Sequence, residues 1–260
     1  MNSFRFKKNF GQHFLKDRKI LERISEINDL KKKNVIEIGP GSGNLTEFIL
    51  KKKPKKLILV EKDKSLEPYL KKFKKKYPSL LEIIFEDAQN LELNKLVSNK
   101  ITLIGNLPYI ISTTLIINWL KYIDSFESII VMVQKEVADR LTAKFSSKDY
   151  GRLSVLVQLH SKIKKILDID PSKFHPKPKV FSSVIELIPK KKREFDYLKI
   201  DQTLKICFLQ RRKTLRNNIK KLNISLEKIE LIESSGIDLN LRPQDLKIEN
   251  YLKLSDFLTG

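Results

Sequence analysis

Asn106-Leu107-Pro108-Tyr109 is a run of four residues whose types and order suit one kind of chemistry. The exocyclic nitrogen of adenine is a poor nucleophile because its lone pair is delocalised into the ring. Two acceptors placed on its hydrogens hold the nitrogen nearer sp³ geometry and aim the lone pair at an electrophile. The Asn106 side-chain oxygen and the Leu107 carbonyl can do this, with Pro108 fixing the local backbone. Tyr109 offers a flat face to a base that has left its stack. An ordinary Asn-X-Pro turn has the same first letters, so the tetrad takes its meaning from what precedes it.

What precedes it is a glycine-rich loop, Glu37-Ile38-Gly39-Pro40-Gly41-Ser42-Gly43. Alternate glycines such as Gly39 and Gly41 let the backbone turn sharply and approach a ligand without Cβ clashes. The loop alone also fits dinucleotide enzymes. The acidic Glu37 beside it is expected to repel a diphosphate and tolerate a cationic amino-acid ligand. Two more acids follow at the ends of apolar runs: Glu61, placed to accept from ribose hydroxyls, and Asp87 before Ala88, placed to accept from an adenine amino group. Acids at the carboxyl ends of successive parallel strands mark a ligand crevice. Together they favour S-adenosylmethionine over NAD.

The elements that must position these residues follow from periodicity. Asn34–Ile38, Leu57–Val60, Leu81–Phe85, Ile101–Ile104 and Ile129–Val133 read as buried strands. Helical stretches over Leu45–Lys52, Leu66–Lys76 and Ser112–Leu120 lie between them. Strands alternating with helices predict an α/β fold, a parallel sheet covered on both faces. Leu153–His160 and Ser183–Leu187 read as an antiparallel edge pair, joined through an ordered, proline-rich loop over Asp170–Lys179. After Pro189 the strand pattern stops. Lys190-Lys191-Lys192-Arg193 reads as a linker, and Thr203–Leu222, Leu226–Ser234 and Ile248–Leu258 as helices. The expected domains are 1–189, carrying the cofactor site, and a helical domain over 190–260.

Composition narrows the partner. Fifty-two Lys and Arg against 31 Asp and Glu give the 260-residue chain a formal charge of +21, which points to a polyanion, nucleic acid before a membrane surface. Lysine runs such as Lys74–Lys76 are read as solvated helix ends. No apolar run reaches the roughly 18–20 residues of a membrane helix, and the N-terminus lacks a secretory pattern. A single cysteine, Cys207, excludes an internal disulfide and fits a reducing, cytoplasmic setting. His13, His160 and His175 are too dispersed to indicate a zinc site, and no metal is expected.

The chain resembles the ribosomal RNA adenine dimethyltransferases of the KsgA type. The resemblance is carried by Phe10–Leu15, Glu37–Gly43, Glu61, Asp87-Ala88, Asn106–Tyr109, Phe174–Val180, Gln210–Asn218 and Arg242–Leu246. It implies a Rossmann-like class I methyltransferase sheet with a small C-terminal all-helical domain. It also implies dimethylation of the N6 amines of two adjacent adenosines in the 3′-terminal hairpin loop of 16S rRNA. By the same resemblance His13 and Leu15 touch the cofactor's amino-acid end or its entry, while Gly39, Glu61, Asp87 and Asn106 line the rest. Phe174 would stack on the target base opposite Tyr109, and Arg211, Arg212, Lys213 and Arg216 would contact RNA or the subunit. The chain departs from the family at His13, often Asn, and at Phe181, more often polar.

Three other readings compete. The related erythromycin-resistance methylases share the loop, the tetrad and the Phe174–Val180 pattern but modify 23S rRNA. The Gln210–Asn218 and Arg242–Leu246 motifs favour the small-subunit type. A non-catalytic assembly or nucleic-acid-binding relative is disfavoured by the intact loop and tetrad. A DNA adenine methyltransferase is disfavoured by Leu107, where that class carries Pro. The expected substrate is 16S rRNA within an assembling small subunit, and the expected state is a monomer.

Overall fold

The computed structural model describes residues 13–191, 195–222 and 224–259. Phe10, Gly11 and Gln12 of the N-terminal motif, and Lys192-Arg193 of the linker, lie outside the described residues. From the N-terminus come β1 (Phe14–Leu15), α1 (Arg18–Ser25), β2 (Asn34–Ile38), α2 (Asn44–Lys51), β3 (Lys56–Glu61), α3 (Glu67–Lys76) and β4 (Leu81–Phe85). They are followed by β5 (Ile101–Asn106), α4 (Ser112–Leu120), β6 (Phe126–Gln134), α5 (Lys135–Thr142), α6 (Arg152–His160), β7 (Ser161–Ile169), β8 (Phe174–His175) and β9 (Ser182–Pro189). The remainder is helical: α7 (Tyr197–Cys207), α8 (Leu215–Ile219), α9 (Leu226–Ser234) and α10 (Ile248–Leu258).

Seven strands form one sheet in the order β4-β3-β2-β5-β6-β9-β7. The β4 to β6 neighbours pair in parallel, and β9 runs antiparallel to β6. The centre is apolar on both faces: β3 is buried from Leu57 to Glu61, as expected for a strand covered by helices on each side. The chain passes from β2 outward to β4, then returns to place β5 on the other side of β2. Such a reversal opens a crevice at the carboxyl ends of the two central strands. At the far edge, β7 presents exposed Lys162, Lys164 and Lys165, which discourage pairing with another chain.

Two expectations are corrected. Leu153–His160 is not a strand but most of α6, and nearly every side chain in it is buried. A continuous apolar run suits a buried helix as well as a buried strand. The Gly151 N–H donating to Ser154 Oγ at 3.0 Å closes its first turn. The edge strand is the following segment, β7, where lysines interrupt the apolar alternation. Thr203–Leu222 is likewise not one helix. It ends at Cys207, turns, and restarts where Thr214 caps α8 by accepting from the Asn217 N–H.

The chain forms two compact units. One comprises the residues through Ala138 together with Ile163–Pro189; the other comprises Asp139–Lys162 and the residues from Lys190 on. One junction falls after Pro189, and 139–162 groups with the C-terminal helices. Arg152 of α6 pairs with Asp201 of α7, and the Lys190 N–H donates to the His160 carbonyl at 3.0 Å. His160 also meets the Phe195 and Tyr197 rings edge-on.

Candidate active site

The carboxyl ends of β2, β3, β4 and β5 surround a cleft of about 1000 Å³, mouth included. β2 leads into the glycine loop, where Gly39 and Gly41 adopt φ of +66° and +59°. A Cβ on Gly41 would stand 2.4 Å from the Phe14 ring, so no larger residue fits without displacing it. The Gly39 N–H donates to the Val60 carbonyl at 2.9 Å, and a Cβ there would lie 3.3 Å from the Asn106 carbonyl. The loop and the tetrad therefore meet where the chain reverses across the sheet.

Glu61 ends β3 and faces the same cleft. One carboxylate oxygen accepts from the Gly41 N–H at 3.1 Å, the other from the Asp63 N–H at 2.8 Å. Burial pushes its pKa up, against the backbone donors that favour the ionised form. Asp87 follows β4 and accepts from Lys62 at 2.8 Å and from the Gln89 N–H at 3.0 Å. Burial acts to raise its pKa, but Lys62 and the Gln89 N–H outweigh it and hold the carboxyl below its usual range. Ala88 lines the wall beside it.

Glu37 does not play the part expected of it. Its side chain is buried and accepts from the Thr46 hydroxyl at 2.6 Å. Burial, with the nearby Glu61 carboxylate adding to it, pushes its pKa up to about 8. Glu37 lines a smaller adjoining void and not the cleft itself.

The tetrad forms the opposite wall. Asn106 closes β5, and its Nδ2 donates to the His13 carbonyl at 2.7 Å. The Leu107 N–H donates to the Met132 carbonyl at 3.2 Å, tying the turn to β6. The Pro108 carbonyl accepts from the Ile111 N–H at 3.2 Å just before α4. The Tyr109 hydroxyl bonds Ser182 Oγ at 2.6 Å, and burial pushes its pKa up, so it stays protonated. The His13 ring lies parallel to Tyr109, centroids 5.6 Å apart, and its Nδ1 donates to the Pro176 carbonyl at 2.7 Å. A carbonyl cannot donate, so this bond places the proton on Nδ1.

The cleft thus gathers Gly39, Gly41, Glu61, Asp87, Ala88, His13 and the whole tetrad. Leu15 is buried below it, lining a smaller adjoining void with Gly39 and Asn106. Phe174 is also in the core, 4% exposed and paired through β8 with Leu15 of β1, and it does not line the cleft. Ser182, Lys62 and the Pro176 carbonyl were not singled out from the sequence. Ser182 and the Pro176 carbonyl reach the site by chain reversal, a signal local pattern does not carry, whereas Lys62 directly follows Glu61.

The four basic residues expected at RNA belong to the helical unit and differ from one another. Arg211 is held by Gln244 at 3.1 Å and by the Lys148 carbonyl, and Arg216 pairs with Glu233. Asn218 clamps the same turn, accepting from the Gln210 N–H at 2.9 Å and donating to the Gln210 carbonyl at 3.2 Å. Arg212 and Lys213 are exposed at its tip.

The sequence profile of the family described as "Ribosomal RNA adenine dimethylase" matches residues 3–260. A "Ribosomal RNA small subunit methyltransferase A" of Pelagibacter ubique is 44% identical, covering 95% of each chain. One of the same description from Ehrlichia chaffeensis is 42% identical, covering 96% of this chain and 95% of its own. Among solved structures, a dimethyladenosine transferase from Plasmodium falciparum superposes with a TM-score of 0.80 at 29% identity, over 93% of this chain and 95% of its own. The 23S rRNA methyltransferase ErmE shares the fold with a TM-score of 0.71 at 23% identity, over 95% of this chain and all of its own.

Proposed function

Because the chain belongs to the ribosomal RNA adenine dimethylase family, we propose that its cleft methylates adenine N6 in small-subunit rRNA from S-adenosylmethionine. The observation that carries this reading is the meeting of the glycine loop, two strand-end carboxylates and the Asn106–Tyr109 tetrad in one cleft. The products are two adjacent N6,N6-dimethyladenosines in the 3′-terminal hairpin loop of 16S rRNA, made on an assembling subunit. The protein acts as a cytoplasmic monomer. No helix among the described residues is long and apolar enough to cross a membrane.

The residues present fit the cofactor: Gly39 and Gly41 line the cleft without side chains, and Glu61 and Asp87 supply acceptors at successive strand ends. S-adenosylmethionine supplies an electrophilic methyl group when bound. Glu61 would accept from its ribose hydroxyls, Asp87 from its adenine amine, and the Gly39–Gly41 backbone and His13 would face its amino-acid end. Leu15 supports this wall from below.

Asn106 Oδ1 and the Leu107 carbonyl accept the two hydrogens of the target amine and keep its lone pair out of conjugation. Once the first methylation is complete and the methylated nitrogen has released a proton to solvent, a single N–H remains, and one of the two acceptors suffices to hold it. Tyr109, fixed by Ser182, stacks the base. Phe174 acts by packing the wall behind this site, given its burial. Arg212 and Lys213 contact phosphates, while Arg211 and Arg216 shape the turn that presents them.

The 23S reading draws on a shared fold and on motifs common to both branches. The small-subunit reading has in addition relatives above 40% identity along nearly the whole chain. The test supplies labelled S-adenosylmethionine with unmethylated small and large subunits separately, and identifies the product nucleosides by mass. Dimethyladenosine in the small subunit is expected. Label entering the large subunit instead, or stopping at the monomethyl product, contradicts the proposal.

A further inference from the structure

We propose that Ile110, Val180 and Phe181 form an apolar seat at the mouth of the cleft, on which a nucleobase flanking the target adenosine stacks. This rests on the function proposed above and extends it to a neighbouring subsite. Ile110 is 80% exposed, Phe181 49% and Val180 42%. Large apolar side chains are costly to leave in water, and a cluster of them beside a site marks a binding surface.

Seventy residues separate Ile110 from Val180, yet the fold brings the two segments together. The Tyr109 hydroxyl and Ser182 Oγ are bonded at 2.6 Å, so Ile110 and Phe181 each adjoin one partner of that contact. Ile110 also lines the cleft itself, beside Leu107 and Tyr109. Phe181 is not on a loose loop: its carbonyl accepts from the Lys135 N–H at 2.9 Å, and Ser182 after it enters β9 opposite Gln134.

The charge around the seat selects its occupant. Lys177 and Lys179 are exposed on the segment that leads to Phe181, in a chain of net charge +21. An aromatic face with lysines along the same backbone suits a single-stranded nucleotide, its base on the ring and its phosphates on the amines. The seat thus takes the nucleotide next to the one held by Tyr109.

The test measures methyl transfer to unmethylated small subunits by the full-length protein. Phe181→Ser and Ile110→Ser each raise the KM for subunits, Phe181→Ser by about tenfold, as for a lost base–aromatic stack. Phe181→Trp restores it. Cofactor affinity by equilibrium dialysis stays at the wild-type value in Phe181→Ser and Phe181→Trp, which verifies folding. A small subunit whose 16S rRNA carries 2-aminopurine beside the target adenosine changes fluorescence on binding wild type and Phe181→Trp, and not on binding Phe181→Ser. An unchanged KM in both serine variants overturns the inference, as does a rise that Trp fails to rescue. Wild-type self-association abolished by Phe181→Ser also overturns it, because the seat then serves a second copy. If wild type transfers no methyl to small subunits, both this inference and the proposed function fail; if it does and the variants match it, this inference alone fails.

Discussion

Asn106 and His13 are joined through a side chain on one residue and the backbone on the other: Asn106 Nδ2 donates to the His13 carbonyl at 2.7 Å. A carbonyl only accepts, so the amide nitrogen must face it, and Oδ1 is the atom that remains to accept a hydrogen. The segment before α1 thereby sets the direction of the group assigned to the target amine.

Because that bond uses the His13 backbone, the His13 side chain is separable from it. His13→Ala removes the ring against Tyr109 and the bond to Pro176 but keeps the carbonyl. Turnover on small subunits should fall by about tenfold, far less than for loss of the Asn106 amide. Steady-state rates for the two variants side by side check the order.

Tyr109 and Ser182 should be energetically coupled. Tyr109→Phe and Ser182→Ala each remove the 2.6 Å bond, and the double variant should be little worse than either single. The coupling in transfer rate should be about 1 kcal/mol, the size of one hydrogen bond. Strict additivity would mean that the bond does not position the ring.

Glu37 makes stability depend on pH in a defined direction. Its folded pKa of about 8 lies above the ordinary glutamate value of 4.5, so the folded state binds the extra proton. Its contribution is fully present below about pH 4.5 and is lost as pH rises through 8. Glu37→Gln keeps an acceptor for Thr46 and cannot ionise. Between pH 5 and 9 the wild type should lose on the order of a few kcal/mol relative to this variant. Urea unfolding across that range checks it, and parallel curves would contradict it.

The sequence made the strand ends legible and left the long-range partners hidden. Glu61, Asp87 and Asn106 could be placed because each ends an apolar run, and parallel order then brings them to one edge. Leu153–His160 reads as a strand because burial on all sides erases helical periodicity, and β7 does not read as one because lysines break its pattern. Thr214 caps α8 inside that stretch, yet the apolar spacing across it suggests an unbroken helix. Phe174 carries an aromatic side chain suited to stacking, but its pairing with Leu15 puts it in the core.

The basic turn should divide into two kinds of residue. Arg211→Ala loses its bonds to Gln244 and Lys148 and should lower the melting temperature. Arg212→Ala with Lys213→Ala should leave melting unchanged and weaken subunit binding, with the salt slope falling by about one to two. Melting curves and salt-dependent binding isotherms separate the two.

The most direct measurement compares wild type with Asn106→Ala on unmethylated small subunits, with product nucleosides identified by mass and cofactor binding measured in parallel. Wild type should yield N6,N6-dimethyladenosine, and the variant should bind S-adenosylmethionine yet transfer about 10²–10³-fold more slowly. Undiminished transfer by Asn106→Ala would contradict the account.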